Sequence, residues 1–150
     1  LVVLVVFACK KKDDGGTPAP ADPLVGNWLI DEIDVQGDVT FAGTPLTFTG
    51  NGANMVGGYN LKADGTMTYD TQYDIEVVIT GLGNQTIPMS QSGSGTWKKE
   101  ANTLVIIDQN GTQRYPIKVV TADILILDQD TTISQAGAAV NLELEMTLRK

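Results

Sequence analysis

The 150-residue chain carries a formal charge of −8 and a sequence pI near 4.3, without the clustered Lys and Arg that a phosphate backbone demands, which excludes nucleic acid as a partner. It has no histidine and one cysteine, so the usual neutral-pH general base, the commonest transition-metal ligand, an internal disulfide and a Cys-based zinc site are all excluded. Hydrophobic residues at 42 % and charged residues at 19 % suit a single globular domain, and the roughly 125 residues from Leu24 onward are too few for two.

The first element is Leu1–Ala8, an unbroken apolar run that stops at Cys9. As a helix it would cover about 12 Å against a hydrocarbon core of about 30 Å, so it cannot span a membrane. It reads instead as the apolar core of a cleaved export signal, whose basic leading segment is expected upstream. Val6-Phe7-Ala8-Cys9 resembles the lipobox of bacterial lipoproteins: aliphatic, then any residue, then small, then Cys. The resemblance implies that Cys9 takes a thioether-linked diacylglycerol and becomes the acylated N-terminus. The only thiol of the chain is the nucleophile such a linkage needs, and each buried CH₂ adds about 0.8 kcal/mol of anchoring. Lys10-Lys11-Lys12-Asp13-Asp14 follows. Lys12, Asp13 and Asp14 resemble the surface-export signal of Bacteroidota lipoproteins, which implies the outer face of the outer membrane; the alternative reading is a solvated charge cluster.

Residues 15–23 carry three prolines and no periodicity, so 9–23 is predicted to be an acylated, flexible-to-extended linker able to hold the domain about 40 Å from the lipid.

From Leu24 to Lys150 the apolar spacing is mostly two, with turn signals at roughly eight-to-twelve-residue intervals and no helical stretch. The prediction is all-β: an antiparallel up-and-down barrel of about eight strands, with a flattened β-sandwich as the alternative. Glu32 interrupts the alternation between Ile30 and Ile33, which predicts a bulge. Asp64-Gly65 joins strands Tyr59–Ala63 and Thr66–Tyr73, and Asn110-Gly111 joins Leu104–Asp108 to Thr112–Val120; both dipeptides are expected to form type I′ turns. The Gly/Ser/Gln stretch at 90–95 and the segment Gln129–Ala139 are expected to be connections that border the mouth of any interior pocket. Leu104–Ile107 and Ile124–Leu127 are apolar on both faces and need cover outside as well as inside. Val140 to Leu148 alternates cleanly with polar residues and is the clearest strand.

Leu24-Val-Gly26-Asn-Trp28, Leu61-Lys-Ala-Asp-Gly65-Thr66, Gly95-Thr-Trp97, Leu104-Val-Ile106, Tyr115-Pro-Ile117 and Ile124-Leu-Ile-Leu127, in that order, resemble the layout of small lipocalin-like lipoproteins of the Bacteroidota type. The resemblance covers nearly the whole mature chain, although the second and third conserved regions of classical lipocalins are missing. It implies a barrel in which Gly26 lets the chain turn closely into the first strand and Trp28 plugs the closed end. It also implies a binding module for a small hydrophobic or amphipathic ligand.

No constellation for catalysis stands out. Glu143 and Glu145 share the wet face of the last strand, and Asp128 and Asp130 lack EF-hand spacing. Ser90, Ser92 and Ser94 have no histidine to activate them. Asp130-Thr131-Thr132 resembles an O-glycosylation acceptor of Bacteroidota. Neither an enzyme nor a bound cofactor or metal is expected. The remaining candidates are aromatic: Phe48, Tyr59, Tyr69, Tyr73 and Tyr115 occupy apolar-phase positions and would line a ligand pocket. Two functions stay open. One is a lipocalin-like carrier, whose tyrosine-lined interior would measure several hundred Å³. The other is an interaction or accessory subunit with a filled core and a protein partner.

Overall fold

The structure, a computed structural model, describes residues 21–41, 43–79, 83–135 and 138–150. Cys9, Lys12, Asp13 and Asp14, with the rest of the leader and most of the linker, therefore lie outside the described residues. Eight strands follow one another: β1 (Gly26–Phe41), β2 (Thr44–Leu61), β3 (Thr66–Ile79), β4 (Gly83–Glu100), β5 (Thr103–Asp108), β6 (Gly111–Val120), β7 (Ile124–Gln135) and β8 (Ala138–Arg149). Each pairs antiparallel with its sequence neighbours, and β1 pairs with β8, so the sheet closes into an up-and-down barrel rather than a flattened sandwich. Closure satisfies the backbone groups that an open sheet would expose at its two ends.

The period-2 pattern sets which way the side chains point. On β8, Val140, Leu142, Leu144, Met146 and Leu148 are all buried, as are Tyr69, Tyr73, Ile75, Val77 and Ile79 on β3. The outward positions carry Asp34, Gln36 and Asp38 on β1 and Glu143 and Glu145 on β8. An apolar inside and a charged outside is the reverse of a membrane-spanning barrel. Closure also requires bends. The predicted irregularity in β1 falls at Asp31, which is skipped in the register with β8 while Ile30 and Glu32 face Leu148 and Thr147. A second bulge sits in β2 at Asn54-Met55, with Asn54 at φ 52°. On the same strand Gly58 lies so close to β1 that a Cβ there would meet the Trp28 carbonyl oxygen at 1.8 Å.

The turn chemistry departs from expectation in detail. Gly65 and Gly111 have φ of 81° and 111°, but Asp64 and Asn110 do not have positive φ. A type I′ turn needs both central residues positive. The Gly65 N–H instead donates to the Lys62 carbonyl at 3.0 Å, a type I turn completed by a left-handed glycine. Asp64 keeps negative φ because its carboxylate accepts from the Thr66 N–H and hydroxyl, at 2.9 and 2.6 Å.

Two expected connections are strand. Residues 90–95 belong to β4, and Gln129–Ala139 is mostly β7 and the start of β8. Small and β-branched residues at outward positions (Ser90, Ser92, Thr132) suit a pleated surface as well as a loop, so composition misled.

The two-faced apolar strands find their cover locally. Val105 points outward yet is fully buried. Its cross-strand partners are Lys98 and Arg114, and both converge on Glu100, at 2.6 and 2.7 Å. Their aliphatic stems thereby lie over the valine. Ile107, beyond that clamp, is 42 % exposed.

The strands are unequal. β4 meets β5 only over Gly95–Glu100, and β7 meets β6 only through Leu125–Leu127. The short β5–β6 hairpin therefore fills only the lower part of the wall. Above it stands a notch between β4 and β7.

Candidate functional site

At the closed end Trp28 is fully buried. Its indole N–H donates to the Leu24 carbonyl at 2.7 Å, and the Lys150 ammonium sits 4.4 Å from the ring centroid while donating to the Pro23 carbonyl at 2.9 Å. Gly26 enters β1 at φ 150°, a conformation that favours glycine. Both residues hold the two chain ends over the core. They close this end of the barrel.

All four tyrosines of the chain gather at one level inside the barrel. Tyr59 of β2 faces Tyr69 of β3 as a cross-strand pair, with ring centroids 6.0 Å apart and planes 29° from parallel. Tyr73 lies two repeats of the pleat further along β3, and Tyr115 enters from β6; Tyr69, Tyr73 and Tyr115 are buried and Tyr59 is half-buried. Burial, then the proximity of Tyr115, Tyr73 and Tyr69, raises the Tyr59 pKa well above the ordinary phenol range. Burial pushes Tyr115 up to about 12, with smaller contributions from Tyr73, Asp108 and Tyr69. Tyr73 is raised by burial alone. The Tyr69 hydroxyl donates to the Asp108 carboxylate at 2.6 Å, which raises the phenol and lowers the acid. The Tyr115 hydroxyl donates to the Gln113 side chain. Every one of these phenols is neutral at physiological pH, and none is poised to move a proton.

Phe48 does not join the tyrosines. It is buried higher in the barrel, between Ile79 on β3 and Gly37 on β1, where a glycine Cβ would lie 2.7 Å from its ring.

The space left among the side chains is small. The void bounded by Tyr59, Ile106, Tyr115, Leu127, Gln129 and Met146 measures about 10 Å³. That is room for one water at most, whereas ligand pockets measure about 300–1,000 Å³.

The larger hollows lie beyond this layer, on the outer faces of the sheet and at the barrel mouth. One of about 520 Å³ covers the outer face of β6, β7, β8 and β1 and is lined by Asp34, Lys118, Asp128, Asp130, Glu143 and Glu145 among others. The register sets Asp34 opposite Glu145, Glu145 opposite Asp128, and Glu143 opposite Asp130. Lys118 answers two of them, at 3.0 Å to Asp128 and 2.5 Å to Glu145. Glu143 accepts from the Gln36 amide at 2.6 Å. Among the described residues no group of three His, Cys, Asp or Glu is arranged to hold a metal ion. Ser90, Ser92 and Ser94 stand on the exposed outer face of β4.

Comparison with protein families, curated proteins and solved structures finds no match.

Another hollow, of about 320 Å³, occupies the notch and opens into the barrel mouth above the tyrosine layer: Gln91, Gln113, Tyr115, Gln129 and Thr131 are inward-phase residues, and Arg114 and Asp130 stand on its outer rim. The two stretches expected to border a pocket mouth, 90–95 and Gln129–Ala139, do meet here with Tyr115, but as strands and beside a gap in the wall that the sequence did not predict. Its signal was the disparity between the short Leu104–Asp108 segment and the long uncharged stretch before it, once residues 83–94 are taken as strand.

Proposed function

We propose that this chain is a non-catalytic interaction module held at the outer membrane by a lipid on Cys9, an accessory subunit of a cell-surface complex. The single observation that favours this over carriage of a hydrophobic ligand is the character of the interior. The apolar tyrosine layer encloses a void of only about 10 Å³. The hollow of about 320 Å³ above it is walled by Gln91, Gln113, Gln129, Thr131, Arg114 and Asp130 with Tyr115 its one aromatic side chain, whereas ligand pockets are lined predominantly by hydrophobic and aromatic side chains. The lipocalin-like resemblance supports a barrel of this kind, but a carrier needs a hollow one. Cys9 in its lipobox supports the anchor, and Lys12-Asp13-Asp14 supports display on the cell surface.

A fluorescent long-chain fatty-acid analogue, titrated into the purified domain, tests the choice. The reading expects no saturable binding. Stoichiometric binding in the micromolar range that Tyr115→Trp abolishes would overturn it in favour of a carrier.

A further inference from the structure

Beta-sheet edges that stay open in native proteins are normally blunted by charges, proline or brevity, because unpaired N–H and C=O groups recruit other strands. The upper part of β4 is such an edge, long and uncharged, with Pro88 the one blunting residue on it. Residues 83–94, GNQTIPMSQSGS, run for twelve positions without an Asp, Glu, Lys or Arg. They pair with β3 throughout, and no described strand lies on their other side.

The direction of each backbone group follows from the register. The Trp97 N–H donates back to the Gly65 carbonyl at the β2–β3 turn, at 2.8 Å. Odd-numbered residues of β4 therefore bond toward β3, and even-numbered ones point the opposite way, into the notch. The pairing with β3 continues without a shift down to Gly83. Asn84, Thr86, Ser90 and Ser92 thus present N–H and C=O groups to the notch, and Pro88 presents a carbonyl alone. Proline is confined to positions of this kind, where its missing N–H breaks no ladder bond. On the far side β7 has an open edge of its own. The Lys150 N–H donates to the Asp123 carbonyl at 3.2 Å, so the odd residues of β7 bond toward β8 and Asp130, Thr132 and Ser134 face the notch.

We infer that the notch is a strand-docking site: it takes an extended segment of another polypeptide that pairs with the even-numbered backbone groups of β4. This rests on the interaction reading above and names its contact surface. The chemistry of the segment follows from the two walls. Its inward side chains meet Ile87 and Met89, which are buried and half-buried, and so are apolar. Its outward side chains lie between the uncharged Thr86–Ser92 surface and Asp130, the one carboxylate lining the notch, with Arg114 below them, and so are hydroxylated next to Arg114 and basic next to Asp130. Backbone pairing supplies affinity, and the alternation supplies selection, as in other strand-addition complexes.

The test uses a synthetic peptide of about eight residues alternating valine with lysine and threonine, and reads backbone amide hydrogen exchange across the domain. The expected result is slowing of about tenfold at Thr86, Ser90 and Ser92 near ninety-per-cent occupancy, with odd-numbered β4 amides unchanged. The same peptide N-methylated at alternate residues should give no slowing. The double substitution Thr86→Pro and Ser90→Pro, which removes two free-edge donors and no β3 bond, should abolish the effect while leaving the exchange of β3 intact. No protection at millimolar peptide, equal protection by the N-methylated peptide, or protection confined to another surface would each overturn the proposal. A concentration-dependent dimer sealed through β4 would also overturn it, since the occupant would then be a second copy. Failure here with no fatty-acid binding defeats the docking site alone; saturable fatty-acid binding defeats the interaction reading itself.

Discussion

Replacing Tyr115 by alanine tests whether the barrel is filled or merely lined. The residue is 7 % exposed, with a void of about 10 Å³ on its inner side and the notch hollow on the other, so its inner neighbours have almost no slack to take up. Removing the ring opens about 100 Å³, which at about 24 cal/mol per Å³ costs roughly 2.4 kcal/mol, and the lost transfer energy brings the total to about 4 kcal/mol. With a urea dependence of about 1.5 kcal/mol per molar for a domain of this size, the midpoint should fall by roughly 2.5 M. Tyr115→Phe removes only the hydroxyl and its bond to Gln113, and should cost about 1 kcal/mol. The assay is urea denaturation followed by tryptophan fluorescence, since Trp28 reports the core. A loss below about 1 kcal/mol for the alanine variant would mean that the tyrosine layer gives way easily, and the case for a filled interior would fail.

Four further outcomes follow from the same geometry. Because the Tyr115 pKa is raised from the ordinary 10.0 to about 12, its contribution to stability is complete below pH 10 and disappears as pH climbs through about 12; phenolate absorbance against pH should show late titration coincident with unfolding. The exposed Glu100 carboxylate is held down to about 2 by Lys98 and then Arg114, so its contribution is present above its ordinary value of 4.5 and is lost as pH falls toward 2. An NMR titration should place its midpoint there and move it upward in Arg114→Gln. Gly58→Ala drives a Cβ to 1.8 Å from the Trp28 carbonyl and should destabilise by about 1–3 kcal/mol in the same urea assay. Cys9→Ala should abolish palmitate labelling and free the protein from membranes, and alanines at Lys12, Asp13 and Asp14 should reduce its cleavage by protease added to whole cells; labelling that persists without Cys9 would sink the anchor.

Much of the architecture was legible because alternation is a local property. Val140–Leu148 could be assigned from its own residues, and so could the Asp31–Glu32 irregularity. The gathering of Tyr59, Tyr69, Tyr73 and Tyr115 followed from their phase once a barrel was assumed. What local reasoning missed depends on register between distant segments. Whether four aromatic side chains leave a hollow or fill it is set by how Ile106, Leu127 and Met146 interdigitate with them, and no spacing rule contains that. The clamp of Lys98 and Arg114 over Val105 needs two pairings known together. The Asp34–Glu145–Asp128 row needs three strands aligned to the residue. The notch was hidden for a simpler reason: Gly, Ser and Gln between 83 and 94 look like loop, and only their pairing with β3 reveals an edge.

Native mass spectrometry of the protein purified from its own cells tests the central claim most directly, because it weighs the covalent anchor and any companion together. The account predicts an acylated Cys9 at the N-terminus, a co-purifying polypeptide, and no small hydrophobic mass retained by the folded domain. A lipid-sized species released only when the barrel unfolds would contradict it.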